Sequence, residues 1–348
     1  MARIVLADDG IEFDGKSPEA GPLGGVESTI VAMTEELARR GHEVFVYNKC
    51  KAPLDYNGVS WRPFDQTPPS DWPRGVDLYI ANRGDRLISL MPNAKRTVFW
   101  IHNPAQYLMK WRYLWKLWRH KPAIVFIGDY HATTYPGWAP GGERVVIPYG
   151  LPEAFCKAEV RPTPPPPRAV FTSNPLRSLD WLLEVWAELI EPKVPGAELH
   201  LFTGSATYGR VGDGKADAMG QVLKQAEALS GQGVVLRGPV AKGQLIEELS
   251  QARVMLYRGD LNETFCLAVG EAQAIGVPTV VESKGSVTER IIDGETGFVA
   301  DGKAPFAAAA IKLLTDDALW QQQHQAALEK QRRWLWPDAA AAFEKLIP

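Results

Sequence analysis

Asn262-Glu-Thr-Phe-Cys-Leu-Ala-Val-Gly-Glu271-Ala-Gln-Ala-Ile-Gly276-Val-Pro-Thr-Val-Val281 is the stretch that decides the fold class of this chain. It predicts a helix over residues 265–275, a glycine at which the helix ends, and a buried strand over 279–282. A predicted strand over 254–257 precedes it, so strand, helix and strand follow one another. Such units build parallel sheets with helices on both faces, which predicts an α/β protein.

The same alternation continues through both halves of the chain. Further strands are predicted at 3–7, 44–47, 78–81, 97–101, 124–127, 145–147, 169–172, 199–203, 234–237 and 298–300. Further helices are predicted from near Val26 to Gly41 and at 178–190, 215–230, 244–252 and 305–315. Neither half has G-x-G-x-x-G after its first strand, which disfavours a nicotinamide-dependent dehydrogenase.

A proline-rich segment, Arg161-Pro-Thr-Pro-Pro-Pro-Pro-Arg168, lies near the middle of the chain. So many prolines form neither a helix nor a central strand, so the segment predicts a stiff extended connector. We therefore expect a Rossmann-like domain over 1–160, a linker over 161–168 and a second Rossmann-like domain over 169–317. Helices over 318–348 are expected to pack back towards the first domain. Parallel sheets bind ligands at the carboxyl ends of their strands, which predicts a site in a cleft between the domains.

Composition restricts the class of protein. The 348 residues carry a formal net charge of −3, with 45% hydrophobic and 23% charged residues, as is usual for soluble enzymes. A near-neutral charge argues against binding of nucleic acid, which needs a basic surface. Asp8 and Asp9 interrupt the apolar N-terminus too early for a signal peptide, and the three cysteines form no C-x-x-C motif. These features predict a cytoplasmic protein.

Residues 10–17, GIEFDGKS, match the phosphate-binding pattern G-x-x-x-x-G-K-[ST]. That function needs a helix opening at the lysine, whereas Pro18 and Pro22 follow and we expect no helix before about Gly25. Glu12 and Asp14 would also repel a triphosphate. We therefore interpret the match as chance.

Gly24-Gly25 is the better candidate for an anion site in this half. The pair directly precedes the helix that begins near Val26, where backbone donors and the helix dipole favour negative charge. An ordinary glycine-rich loop is the alternative interpretation.

Glu263 and Glu271 frame the start of the predicted helix at 265–275. At about 1.5 Å per residue they lie roughly 12 Å apart along its axis. Between them we expect free backbone N–H groups at Thr264, Phe265, Cys266 and Leu267, which suit a diphosphate. Carboxylates accept hydrogen bonds from the hydroxyls of sugar rings, so the pattern is typical of a nucleotide-sugar site. An acidic helix start with one surface glutamate is the alternative.

Together these segments resemble the GT-B fold glycosyltransferases of family 4, whose signature is a Glu-x7-Glu motif opening a helix of the second domain. Several other segments match the family in the same order along nearly the whole chain. They are Gly24-Gly25-Val26-Glu27 with 37–44, Trp100-Ile-His102-Asn-Pro104, Ile147-Pro-Tyr-Gly150, 171–179, 285–289 and Gly294-Glu-Thr-Gly297-Phe298. The resemblance implies two Rossmann-like domains facing an interdomain cleft.

The resemblance also implies roles for individual residues. Glu263 would bind hydroxyls of the donor sugar, Glu271 would bind the ribose, and Arg177 would stabilise the leaving diphosphate. His102 would approach the donor sugar from the first domain. The remaining implied donor-binding residues are Gly24, Gly25, Ser173, Gly238, Val240, Thr264, Phe265, Cys266 and Leu267.

The chain departs from the family pattern at two positions. Thr172 stands where the family has an arginine, so one of the two cations usual in the family is missing. Either another Arg or Lys compensates for it, or catalysis depends more heavily on Arg177. Tyr149 replaces the usual asparagine of an I-P-N-G turn.

The implied reaction is transfer of a hexose, by default glucose from UDP-glucose, to a saccharide or lipid-linked saccharide with retention of configuration. The chain has no D-x-D pair to bridge a metal to the diphosphate, so we expect no metal and no cofactor. The alternatives are a GT-B epimerase acting on a sugar nucleotide and a non-catalytic protein that binds one.

Residues 110–121, KWRYLWKLWRHK, combine five Lys and Arg residues with three tryptophans and no acid. Trp111, Leu114, Trp115 and Trp118 share one helical face. The pattern favours peripheral contact with the inner face of a membrane or a lid over a lipid-linked sugar. A stripe of tryptophans facing the protein core, with a solvated basic edge, is the alternative.

Overall fold

The structure is a computed structural model that describes residues 1–21, 23–160, 162–204 and 216–348. These residues form two compact units, Met1–Gly150 with Leu335–Pro348, and Leu151–Trp334. The described part of the proline-rich segment therefore belongs to the second unit, and the last helix belongs to the first. Arg161 of the predicted linker and Lys215 of a predicted helix lie outside the described residues.

The α-helices follow one another in chain order through both units. They are α1 Ser17–Ala20, α2 Gly25–Arg39, α3 Trp111–His120, α4 Asp129–Thr133, α5 Glu153–Lys157, α6 Leu179–Val185, α7 Ala216–Ala228, α8 Lys242–Ser250, α9 Leu267–Ala274, α10 Lys303–Thr315, α11 Asp317–Lys330 and α12 Trp336–Glu344. Short 3-10 segments lie at Pro69–Asp71, Asp85–Ser89, Ala105–Met109, Glu191–Lys193, Ser230–Gln232 and Val287–Arg290.

The first unit is built on an eight-stranded sheet. Its strands are β1 Arg3–Asp8, β2 Glu43–Asn48, β3 Leu54–Tyr56, β4 Val59–Pro63, β5 Leu78–Asn82, β6 Arg96–Trp100, β7 Ala123–Phe126 and β8 Arg144–Val146. They pair in the order β3-β4-β2-β1-β5-β6-β7-β8, and every pair is parallel except β3 with β4. Residues 4–7 of β1 have no solvent exposure on either face, as expected for a parallel sheet covered on both sides.

The C-terminal helix α12 completes the first unit by packing on α2. Glu344 receives the Arg40 guanidinium at 2.6 Å and lies 2.8 Å from the His42 ring. These partners lower the pKa of Glu344 to about 2, the Arg40 hydrogen bond being the largest cause.

The second unit is built on a six-stranded, fully parallel sheet. Its strands are β9 Arg168–Phe171, β10 Glu198–Leu201, β11 Val234–Leu236, β12 Val254–Tyr257, β13 Thr279–Val281 and β14 Gly297–Val299, in the order β11-β10-β9-β12-β13-β14. The chain leaves β9 towards β10 on one side and returns to β12 on the other. The loops after β9 and β12 therefore diverge, and such a switch point is where open α/β sheets bind ligands.

Two predicted helix boundaries were wrong. The helix expected to begin at Phe265 begins at Leu267, because Cys266 takes a left-handed conformation with φ of 63°. The chain before Gly25, expected to be free of helix, forms the single turn α1. The helix predicted over 178–190 is present, but it changes from α to π geometry at Trp186.

Candidate functional site

Arg177 and Glu263 meet at the switch point of the second sheet. Arg177 follows β9, and its Nη1 lies 3.6 Å from Glu263 Oε2 and 3.3 Å from Asp260 Oδ1. Tyr257, the last residue of β12, donates its hydroxyl to Glu263 Oε2 at 2.7 Å. Asp180 is the acidic residue nearest to Arg177 in the sequence, but the structure places the Arg177 guanidinium beside the loop after β12 instead.

The electrostatics of this cluster keep its arginine charged. Burial opposes the positive charge, but Glu263, Tyr257 and Asp260 outweigh it and raise the pKa of Arg177. Burial, together with the nearby Cys266 and Glu263, raises the pKa of Tyr257 well above its usual value, so the phenol remains a donor. A fixed guanidinium at a strand end suits stabilisation of a departing phosphate.

Glu271 lies in α9 and pairs with a lysine that sequence reasoning missed. Lys242 Nζ lies 2.5 Å from Glu271 Oε1, and the carboxylate side chain is only 4% exposed. Lys242 begins α8, directly after the loop that contains Gly238 and Val240, both of which are partly exposed. Its position two residues after Val240 was the available signal. Glu271 Oε2 has no partner among the described hydrogen bonds.

The backbone donors before Glu271 differ from those predicted. Because α9 begins at Leu267, its first-turn N–H groups belong to Leu267, Ala268 and Val269 rather than to Thr264 and Phe265. Burial raises the pKa of the Cys266 thiol well above its usual value, although a hydrogen bond from the Val269 N–H acts in the opposite direction. Leu267 is therefore the residue of the predicted set that lies in the first helical turn.

A glycine from another loop holds Glu263 in place. Gly285 has φ of 63°, and a Cβ there would lie 2.2 Å from the Asp260 carbonyl oxygen and 2.8 Å from that of Glu263. The next residue, Ser286, donates its backbone N–H to the Glu263 carbonyl at 3.0 Å. The close approach requires glycine at this position.

Ser173 lies beside the same cluster on the β9 side. Its hydroxyl is 3.5 Å from the Tyr257 hydroxyl, and its carbonyl accepts a hydrogen bond from the Thr203 hydroxyl. Thr172, between β9 and Ser173, is partly exposed. Arg258, which directly follows β12, pairs with Glu282 at 2.7 Å.

Gly24 and Gly25 lie in the first unit, where α2 begins. Gly25 is exposed, while a Cβ on Gly24 would lie 2.3 Å from Glu27 Oε2. Glycine at 24 therefore allows the Glu27 carboxylate to fold back over the helix start. Glu27 Oε1 accepts from Arg83 at 2.8 Å, and Arg83 also pairs with Asp8 at 3.1 Å.

His102 lies after β6 and is held inside the first unit. Its Nε2 is 2.5 Å from Asn82 Oδ1 and its Nδ1 is 2.5 Å from the Tyr149 hydroxyl. The ring is 4% exposed, and burial and the Arg83 charge lower the pKa of His102 well below its usual value. The structure thus brings together His102 and Tyr149, which the sequence singled out for separate reasons. The role of His102 at the donor sugar stays a prediction.

Hydrogen-bond donors of the 10–17 loop bond to a side chain of the same loop. The Asp14 carboxylate accepts the Lys16 N–H at 2.9 Å and the Ser17 hydroxyl at 3.1 Å. A carboxylate therefore occupies the place that a phosphate would take in the motif. Across the part of the chain that the structure describes, no three His, Cys, Asp or Glu residues cluster as metal ligands would.

The two parallel-sheet α/β units have the GT-B fold, in which two Rossmann-like domains are joined in one chain. Sucrose-phosphate synthase from Thermosynechococcus elongatus superimposes with a TM-score of 0.72 at 17% identity, covering 99% of this chain and 98% of that one. HepE from Anabaena in complex with UDP and glucose superimposes with a TM-score of 0.73 at 14% identity, covering 99% of each chain.

Residues 166–316, the greater part of the second unit, match the family described as Glycosyl transferases group 1. The D-inositol 3-phosphate glycosyltransferase of Corynebacterium diphtheriae is 44% identical over 87 residues, 24% of this chain and 20% of that protein. The protein of the same description from Streptomyces avermitilis is 33% identical over 172 residues, 49% of this chain and 36% of its own length. The matches thus span only about a fifth to a third of these relatives.

Proposed function

We propose that this protein is a retaining, metal-independent glycosyltransferase that moves a hexose from a nucleotide sugar to a saccharide or lipid-linked saccharide. The observation that carries the proposal is the pairing of Arg177 with Glu263 at the β9–β12 switch point. It places a permanent cation beside an acceptor-only carboxylate, at the edge of a glycosyl transferases group 1 domain.

In the proposed reaction, the acceptor hydroxyl oxygen bonds to the anomeric carbon as the bond from that carbon to the diphosphate oxygen breaks on the same face of the sugar, and the hydroxyl proton passes to the departing diphosphate. Negative charge develops on the diphosphate, and the Arg177 guanidinium and the first-turn N–H groups of α9 would stabilise it. Glu263, held by Tyr257, would orient the hydroxyls of the sugar. Glu271, held by Lys242, would accept a hydroxyl of the ribose.

UDP-glucose is the proposed donor. Support comes from HepE, which shares the fold and has been crystallised with UDP-glucose. The relatives described as D-inositol 3-phosphate glycosyltransferases support a polar, hydroxyl-rich acceptor, although they match less than half of this chain. A cytoplasmic location is part of the proposal.

Calorimetric titration of UDP, GDP, UDP-glucose and GDP-mannose in the presence of EDTA tests the donor site. We expect binding of the uridine pair, weakened about tenfold or more by Glu271→Gln and unchanged by Glu247→Gln. Glu247 is an exposed carboxylate on α8 that forms no ion pair among the described residues, so it controls for loss of charge. A folded protein that binds none of the four, or that binds only when a divalent metal is added, would contradict the proposal.

Analysis of products with and without acceptors separates the remaining alternatives. A transferase releases UDP and forms a glycoside with the α-configuration of the donor. Conversion of the sugar nucleotide to its epimer without an acceptor would instead identify an epimerase. Donor binding without turnover, even by hydrolysis, would identify a binding protein.

A further inference from the structure

Helix α3 turns its tryptophans away from the protein. Trp111 is 77% exposed, Trp115 47% and Trp118 60%, and the last two rings stack with centroids 5.7 Å apart. Tyr113 and Leu117 are the buried residues of the helix. At 100° per residue they lie nearly opposite the tryptophans. The interpretation of this stripe as core-facing is therefore wrong.

Ion pairs fix α3 in this orientation. Lys116 lies 2.8 Å and Arg112 3.4 Å from the carboxylate of Asp85, in the 3-10 segment beneath the helix. The other basic residues, Lys110, Arg119 and Lys121, are exposed and form no ion pair among the described residues. The helix and the two lysines that flank it thus present three tryptophans and three cations without an ion pair to solvent.

A neighbouring loop adds a fourth exposed tryptophan. Trp138 is 76% exposed in the loop 136–140, whose carbonyls accept hydrogen bonds from the Arg144 guanidinium. This loop continues into Gly142, whose N–H donates to the Pro122 carbonyl at 2.9 Å, just beyond the end of α3. Trp138 is therefore exposed on a loop whose conformation is stabilised by hydrogen bonds.

We propose that α3 and the 136–140 loop form a docking surface for an anionic lipid bilayer. Tryptophan is suited to the boundary between lipid headgroups and acyl chains, and unpaired Lys and Arg side chains are attracted to anionic headgroups. The occupant is a lipid surface because exposed tryptophans and unpaired cations occur together on α3 and at its two ends. Contact is at the surface: among the described residues, no helix is long and apolar enough to cross a bilayer.

The proposal does not depend on glycosyl transfer, so it is tested without donor or acceptor. The full chain is floated with vesicles of phosphatidylcholine alone and of phosphatidylcholine with phosphatidylglycerol. We expect binding to the mixed vesicles, and quenching of tryptophan fluorescence when the lipid chains carry bromine. Loss of both in the Trp115→Glu/Trp118→Glu variant, with an unchanged circular dichroism spectrum, would support the surface.

Charge reversal tests the cationic part. The triple variant is Lys110→Glu, Arg119→Glu and Lys121→Glu, and its control is Lys49→Glu, Lys193→Glu and Lys224→Glu. The control residues are likewise exposed and free of ion pairs among the described residues, so both variants change the net charge equally. We expect about a 100-fold loss of partitioning in the first, roughly fivefold for each basic residue, and much less in the control.

Three results would overturn the proposal. The parent protein could fail to bind mixed vesicles. Both triple variants could lose binding equally, which would mean that net charge alone matters. Sedimentation could instead show that the parent is a dimer, that Trp115→Glu/Trp118→Glu is a monomer and that neither binds lipid, which would assign the face to a second copy of the chain.

Discussion

The Tyr149 hydroxyl donates a hydrogen bond to His102 Nδ1, and the direction of that bond follows from the neighbouring groups. The Asp8 carboxylate can only accept, so the Asn82 amide turns its NH₂ towards it at 2.6 Å. Asn82 Oδ1 therefore faces His102, whose Nε2 must carry the proton. The lone pair on Nδ1 then accepts from Tyr149, so four residues fix one neutral tautomer.

The first prediction concerns this tautomer. We expect the ¹⁵N signals of His102 to show a neutral Nε2–H ring between about pH 5 and 8. Tyr149→Phe removes the donor to Nδ1 and should lower the free energy of unfolding by about 1–2 kcal/mol, measured by urea denaturation. Protonation of His102 within that pH range would contradict the assignment.

The second prediction concerns the cation at the β9–β12 switch point. Arg177→Ala should lower kcat by about 10²–10³, because a preorganised group that stabilises developing charge is removed. Arg177→Lys keeps the charge and should retain a larger part of the activity. The matched control is Arg96→Ala, which breaks the Arg96–Glu143 pair on the first unit. Equal kcat values for the alanine and lysine variants would argue against a role for charge.

The third prediction concerns the glycine that holds Glu263. Gly285→Ala should weaken donor binding about tenfold in calorimetry, because its Cβ would displace the carbonyls of Asp260 and Glu263. Gly294→Ala is the control, since it has a similar φ of 75° and no atom within 4 Å of its Cβ position. Both variants should lose about 1–2 kcal/mol of stability from the left-handed conformation. Equal donor affinity in the two would show that the contact is unimportant.

The fourth prediction concerns acid stability. Burial outweighs a hydrogen bond to the Asn103 carbonyl and lowers the pKa of His131 to about 4 from 6.5. The folded state therefore favours the neutral ring, and its contribution is complete above pH 6.5 and is lost as pH falls towards 4. Between pH 7 and 5 the free energy of unfolding should fall by about 1–2 kcal/mol on this account.

Urea denaturation of His131→Asn at the two pH values checks this slope. The variant should have a lower free energy of unfolding than the parent at pH 7, but that free energy should fall less between pH 7 and pH 5. Burial and the nearby Arg119 and Lys116 also lower the pKa of His120, an exposed histidine ending α3, but the shift is smaller, so His120→Gln should change the slope less than His131→Asn does. A slope unchanged in His131→Asn would show that another group titrates.

The α/β class and most element positions were predictable from local patterns. The strand predicted at 254–257 is β12, and the helix predicted from Val26 is α2, because runs of buried residues and glycine stops are properties of neighbouring residues. The start of α9 was not predictable. Cys266 has a left-handed backbone conformation, which non-glycine residues intrinsically disfavour. Its side chain is buried, so the conformation occurs where tertiary packing surrounds the residue.

The candidate site was predictable as a set of positions but not as a set of partners. The Glu-x7-Glu spacing pointed to Glu263 and Glu271. It did not indicate Tyr257, and the only signal for Lys242 was its position two residues after Val240. Asn82 was missed because a polar residue at the end of an apolar strand does not indicate which distant side chains it will contact in the fold.

The sequence by itself determined which segments become strands and helices, and which residues follow the strand ends, since those properties depend on neighbours along the chain. Only the tertiary structure decided that Arg177 turns to Glu263 rather than Asp180, and that the tryptophans of α3 face outward. Both outcomes depend on side chains brought together from distant positions, such as Arg177 with Glu263 and Lys116 with Asp85. Helical periodicity shows that a face is apolar, but the side on which the sheet lies is set by packing of the whole unit.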